Sequence, residues 1–282
     1  MVGTITKRWV LLPVMLAAAP AAWANDISPW TPAPGSVDVE LVYTYQEADS
    51  LYAGEMEAPL PRKLSQDSYA LNLSYGATDR LAFDLLVGYA QSDFLVDPML
   101  APQGGLDGLT DVFVGVRYKL LDETAGQPLT LTAGVAGIID GGYRTGALPA
   151  IGDGGSGGQV ALAAGRSFGV FSLSGDIGYR TRTNNVPNEV FGSINASVSP
   201  ASGFSIFGGL AFTDSTKGLD IGGPGFSPAR FPEVEEDYKL WSIGASAYVT
   251  DRASINLGYG KKFDGRNTAR SDFLRVGLGY SF

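Results

Sequence analysis

Charged side chains recur in this sequence at single positions flanked by apolar ones. Asp38 and Glu40 alternate with Val37, Val39 and Leu41; Asp84 sits between Phe83 and Leu85, Arg117 between Val116 and Tyr118, and Arg275 between Leu274 and Val276. Groups of this kind, once enclosed, must be paired or solvated, so they can form ion pairs, hold water or contact a polar solute. Covalent chemistry is much harder to build here, because the chain has His 0 and Cys 0. Their absence removes the commonest general base, imidazole metal ligands, thiol nucleophiles, disulfides and iron–sulfur clusters. Most hydrolytic triads are excluded, and no catalytic residue, metal ligand or cofactor is assigned.

The elements that position these charges follow from composition and period. Of 282 residues, 45% are hydrophobic and 17% charged, with Gly 38; soluble domains carry about 25% charged residues. The formal charge of -9 leaves nothing to neutralise phosphates, so no nucleic-acid partner is expected. Met1 to Ala24 has the form of a secretory signal: Lys7 and Arg8, an apolar stretch from Trp9 to Pro20, and the small-x-small site Ala22-Trp23-Ala24. Cleavage is expected before Asn25. Beyond it no apolar run reaches the roughly 18 residues of a membrane helix, so any membrane crossing must use strands.

Period two then dominates. Val37 to Tyr45, Tyr69 to Tyr75, Leu81 to Tyr89 and Val112 to Leu120 all place apolar or aromatic residues at every second position. The pattern recurs through Leu129, Val160, Phe171, Val190, Phe204, Trp241 and Ile255 to Leu274–Phe282, giving about twelve strands. Short links such as Thr78-Asp79-Arg80 and Thr250-Asp251-Arg252 alternate with long ones rich in Gly, Pro and charge, among them Gln46 to Gln66, Asp140 to Gly158, Thr181 to Asn188 and Asp214 to Asp237. Aromatic residues cluster at both strand ends. Even strand number, short/long alternation and two aromatic girdles together predict an all-β, antiparallel, up-and-down transmembrane β-barrel. Its organisation is a signal peptide over residues 1–24, an extended periplasmic leader over 25–35 and the barrel over 36–282.

Two local sequences resemble known families. Leu274, Val276, Leu278, Tyr280 and the terminal Phe282 alternate in a way that is similar to the assembly signal of Gram-negative outer-membrane barrels, which implies reading by the barrel assembly machinery. The stretch Gly108-Leu109-Thr110-Asp111 to Gly115-Val116-Arg117-Tyr118 resembles the "MetA-pathway of phenol degradation" family of outer-membrane transporters. That family's Leu-Pro-Thr-Gly is replaced by Ile139-Asp140-Gly141-Gly142. The resemblance implies a porin-like transport role in the cell outer membrane, among lipids and lipopolysaccharide.

Strand parity places Asp38, Glu40, Asp84, Asp111, Phe113, Arg117, Asp176, Phe191, Phe207 and Arg275 in the lumen, along with Lys119, Arg180, Glu189 and Asp272. Asp84, Asp111, Arg117 and Arg275 are expected to form one mixed-charge zone controlling passage. Phe113, Phe191 and Phe207 read either as a stripe for a hydrophobic or aromatic solute or as packing that fills the interior. The Gly-rich segment from Ile151 to Gly158 reads as a flexible outer loop, and Glu233, Glu235, Glu236 and Asp237 as a solvated surface run. Functionally, two readings stay open: a channel or transporter for passive or facilitated uptake of a small solute, or a non-conducting barrel acting through its extracellular loops. Barrel enzymes of the phospholipase, protease and deacylase kinds depend on the histidine that this chain lacks.

Overall fold

The computed structural model describes residues 27–93, 106–147 and 150–282. The strands are β1 (Val37–Ala53), β2 (Met56–Gly76), β3 (Leu81–Asp93), β4 (Asp107–Leu109), β5 (Val112–Leu121), β6 (Thr130–Ile139) and β7 (Gly157–Phe168). They continue as β8 (Phe171–Arg182), β9 (Glu189–Ala201), β10 (Phe204–Ser215), β11 (Asp237–Tyr248), β12 (Ala253–Arg266) and β13 (Ala269–Ser281). Apart from β4 and β5, which do not pair with each other, each pairs antiparallel with its sequence neighbours. The sheet closes through β1 against β13, where Thr44 faces Arg275. Segments β4 and β5 both pair with β3, their register slipping by one residue at Thr110 and Asp111, so they form a single stave. The result is a closed barrel of 12 strands, which leaves no unpaired sheet edge.

Residue type explains which face each side chain takes. Leu41, Val135, Leu162, Ile194, Leu210, Ile243, Leu257 and Leu278 are all exposed on the outside, whereas their neighbours in sequence, Val42 excepted, are small or polar and face the lumen. An apolar outside with a polar inside inverts the soluble-protein pattern and suits a lipid solvent. Aromatics bracket the apolar band. Tyr75, Tyr118, Phe171, Phe204 and Tyr280 lie exposed near one end, and Tyr69, Tyr89, Tyr179 and Tyr259 near the other. At that second end, Trp241 and Tyr259 meet edge to face at 5.6 Å.

The connections alternate as the sequence predicts, with three differences. The expected long link from Gln46 to Gln66 is strand nearly throughout: β1 and β2 run 17 and 21 residues and turn at Gly54 and Glu55, so this wall rises far above β6, which has 10. Strand β8 also continues through Arg182, inside what the sequence reads as a loop. Third, the leader does not extend away from the barrel. Ser28, Pro29 and Pro32 are buried, because the chain enters the lumen at the short-turn end before leaving past Gly76 to begin β1.

Candidate functional site: the barrel lumen

At the short-turn end the lumen is organised by Arg117 on β5, which is 4% exposed. Its Nε and Nη2 donate to the two carboxylate oxygens of Asp84 at 2.7 and 2.8 Å, and Nη2 also reaches Ser74 Oγ at 2.8 Å. Nη1 donates to the main-chain carbonyls of Ser28 and Trp30, at 3.0 and 2.9 Å. All five guanidinium protons are thereby used. The leader is held at further points. Thr132 donates to the Pro29 carbonyl at 2.6 Å, the Trp30 indole to Glu123 at 3.0 Å, and the Ile27 amide to Asp176, which also accepts from Ser193. Small residues make the room it occupies. A Cβ on Gly165 would lie 2.6 Å from Pro29 and 2.8 Å from the Trp30 ring, so even alanine there would push against the inserted segment.

Between the ends, Arg275 (5% exposed) donates to Glu40 at 3.0 Å. Glu40 also accepts from Asn72 and Asn256, at 3.2 and 3.0 Å. Asp38 accepts from Ser281 at 2.7 Å. These contacts tie β1, β2, β12 and β13 together across the closing seam.

The long-loop end has a second arginine centre. Arg180, 2% exposed, donates to Gln159 at 3.1 and 3.0 Å and to Glu189 at 2.9 Å. Its guanidinium lies 5.1 Å from the Phe191 ring centroid and 5.8 Å from that of Phe113. Two residues on, Arg182 meets Asp111 at 2.6 Å. Asp111 in turn accepts from Tyr143 Oη at 2.9 Å and the Gly141 amide at 3.3 Å, while the Tyr143 hydroxyl accepts from the Gly154 amide at 3.0 Å. The Gly-rich segment is therefore not a free outer loop: Ile151 is buried and the loop between β6 and β7 folds inward onto Asp111. Gly146 of this loop approaches the backbone of Pro228 in the loop between β10 and β11, so the two meet over the mouth. Burial pushes the Asp153 carboxyl up to about 7, with Glu236 nearby adding to the rise and Arg182 opposing it.

Several sequence expectations change in consequence. Asp84, Asp111, Arg117 and Arg275 point inward but do not share one zone: Arg117 and Asp84 anchor the leader, Arg275 serves Glu40, and Asp111 serves the opposite mouth. Asp272 faces outward, accepting from Tyr259 and Lys261, because it shares the parity of Leu274 and Leu278. The acidic run is not simply solvated. Glu236 pairs with Lys262 at 3.2 Å, Glu233 with Arg230, and Asp237 accepts from the Ser215 amide. Phe113, Phe191 and Phe207 are buried in the interior, and Asp176 is inward. In the closing strand Leu274, Leu278, Tyr280 and Phe282 are exposed, and Val276 shares their parity.

Sequence reasoning did not find Arg182, Lys262, Tyr143 or Trp30. Arg182 carried a usable signal, since it continues the inward parity of Asp176 and Arg180. Lys262 likewise continues Asn256, Gly258 and Gly260. Tyr143 and Trp30 lie outside any period and had none.

No family model matches the chain, and no curated protein matches it. Among solved structures, it is similar to the COG4313 outer membrane channel from Pseudomonas putida F1, with TM-score 0.69 and 17% identity over 91% of this chain and 99% of that one. It is also similar to the translocator domain of autotransporter NalP from Neisseria meningitidis, with TM-score 0.52 and 13% identity over 89% of this chain and 90% of that one. The NanC porin structure has TM-score 0.52 and 11% identity over 86% of this chain and 98% of that one. At such identities the likeness is one of fold.

Proposed function

We propose that this chain is an outer-membrane channel or transporter for a small hydrophobic or aromatic solute, closed in this conformation by its own leader at the periplasmic end and by an inward loop at the outer end. One observation carries the reading. The lumen admits a stretch of the chain's own backbone and holds it mainly by hydrogen bonds to carbonyls, contacts that water or a solute can replace. A barrel that served only as a scaffold would gain more from bulky side chains fixed in its interior than from a segment tethered at one end. Phe113, Phe191 and Phe207 make part of the interior apolar, and the likeness to a protein described as an outer membrane channel supports the same role. The segment that resembles the MetA-pathway family adds a reason to test aromatic solutes.

The experiment is single-channel recording of the purified barrel, with uptake of a monoaromatic solute into liposomes. Measurable conductance and uptake above that of empty vesicles are expected. A silent, impermeable barrel would favour the second reading, a surface barrel acting through its loops, which the fully paired arginine centres also suit.

Under the same reading, the alternating terminus ending on Phe282 is the segment engaged by the barrel assembly machinery. Phe282→Ala should lower the amount of heat-modifiable protein in the outer membrane more than it lowers the melting of barrels already folded. Unchanged abundance would remove this role.

A further inference from the structure

Among the described residues, the inward cations are all committed. Arg117, Arg180, Arg182, Lys262 and Arg275 each contact a carboxylate of their own within 3.2 Å, and at the rim Lys119 and Asp122 meet at 2.8 Å. Three enclosed carboxylates have no such cation. Asp38 accepts from the Ser281 hydroxyl, and the cation that acts on it through space, Arg117, is already bound to Asp84. Asp176 accepts from Ser193 and the Ile27 amide, and its Oδ2 is buried with no hydrogen-bond partner. Asp153 is acted on by the charges of Glu236, Glu189 and Asp111, and the cation that opposes them, Arg182, is already bound to Asp111. They are distributed along the channel rather than clustered: Asp38 opens β1 at the turn end, Asp176 lies midway along β8, and Asp153 belongs to the loop over the outer mouth.

We propose that the lumen passes cations in preference to anions, so that the solute it serves carries an ammonium, guanidinium or similar positive group on its apolar body. The inference rests on the channel reading and gives it a charge. Among the described residues, an anion entering this lumen meets no inward cation without a carboxylate of its own and must displace that carboxylate to find a partner, leaving an enclosed charge exposed to a low-dielectric surrounding. A cation meets surplus negative charge at successive depths, and walls backed by lipid focus that field along the axis. The paired arginines contribute no compensating attraction, because at a distance each pair is nearly a dipole.

The test is the zero-current potential of the wild-type barrel in a potassium chloride gradient at pH 8. Potassium is expected to permeate several-fold better than chloride, and the D38N/D153N/D176N variant to lose most of that preference. A wild-type barrel that favours chloride, or neither ion, overturns the proposal regardless of how the variant folds. A silent barrel counts against the channel reading instead, and the charge assignment is then read from Trp30, which lies in the lumen. In a Trp241→Phe background, caesium should quench its fluorescence more strongly than iodide, each relative to its effect on free indole. Equal quenching, or stronger quenching by iodide, overturns the proposal for that silent barrel.

Discussion

The two ends of the lumen hold differently connected pieces of chain by the same chemistry. At the turn end, Arg117 holds the carbonyls of Ser28 and Trp30; at the loop end, Asp111 holds Tyr143 and the Gly141 amide while paired with Arg182. The leader is continuous with the barrel wall at one point, the start of β1. The loop between β6 and β7 is attached at both ends, so it can only hinge, and the chain entropy gained on release is smaller. A buried arginine thus holds a segment joined to the wall at β1, and a buried aspartate holds a loop joined to the wall at both ends.

The largest expected effect comes from Arg117→Ala. It leaves Asp84 enclosed without its partner, and removing one member of a buried pair costs about 3–5 kcal/mol. The heat-modifiability transition should fall, and proteolysis should reach residues 27–32 in the folded barrel while residues 140–147 stay protected. Continued protection of the leader in a folded variant would mean that Thr132, Glu123 and Asp176 hold it unaided.

Asp111→Asn should have a smaller effect: the amide oxygen still accepts from Tyr143 and Gly141, and although an amide nitrogen in place of Oδ2 cannot accept from Arg182, that arginine keeps Asp153 and Glu189 as neighbouring carboxylates. Hydrogen bonds to charged groups contribute about 1.5–3 kcal/mol. Faster hydrogen exchange confined to Gly141–Tyr143 and Gly154–Gly155 is expected. If amides near Ile27 exchange faster as well, the two ends are coupled rather than independent.

The smallest effect is a pH dependence at the cover. Burial raises the Asp153 carboxyl to about 7, so the folded loop holds a proton that the unfolded chain releases at lower pH. The stability that this proton brings is full below the ordinary aspartate range and is lost as pH rises toward 7. The charged groups facing Asp153 are Glu236, Glu189 and Asp111, which oppose its ionisation, and Arg182, which favours it; Tyr143 lies beside it. Amide exchange at Gly154 and Gly155 should be faster at pH 8 than at pH 5 after correction for intrinsic rates, and Asp153→Asn should flatten the difference. An uncorrected dependence identical in both proteins would assign the effect to other groups.

Most of the barrel was legible in the order of residues because lipid and lumen impose opposite demands on successive positions. Leu274, Arg275, Val276 and Gly277 can satisfy a strand with an apolar outside in only one register, and the same holds for Val116, Arg117 and Tyr118. At Asp272 the alternation holds and the inward reading of its charge fails: it shares the parity of Leu274 and Leu278, and above the girdle a carboxylate can face outward and bind Tyr259 and Lys261. The rule failed where hydrogen-bonded pairing continued through polar sequence, as in the tall hairpin of β1 and β2.

Alternation of residue type, charge and turn chemistry therefore determined, from the sequence alone, that the chain forms antiparallel staves with an apolar exterior and a charged interior. Only the tertiary structure decided which enclosed charges meet. Asp84 finds Arg117 across 33 positions and Glu40 finds Arg275 across 235, distances set by sheet closure rather than by local preference. Closure likewise brings the leader beneath Arg117 and the Gly-rich loop onto Asp111, because once the ring of strands is complete its small inward residues leave a space that aperiodic segments can fill and whose polar walls they can satisfy.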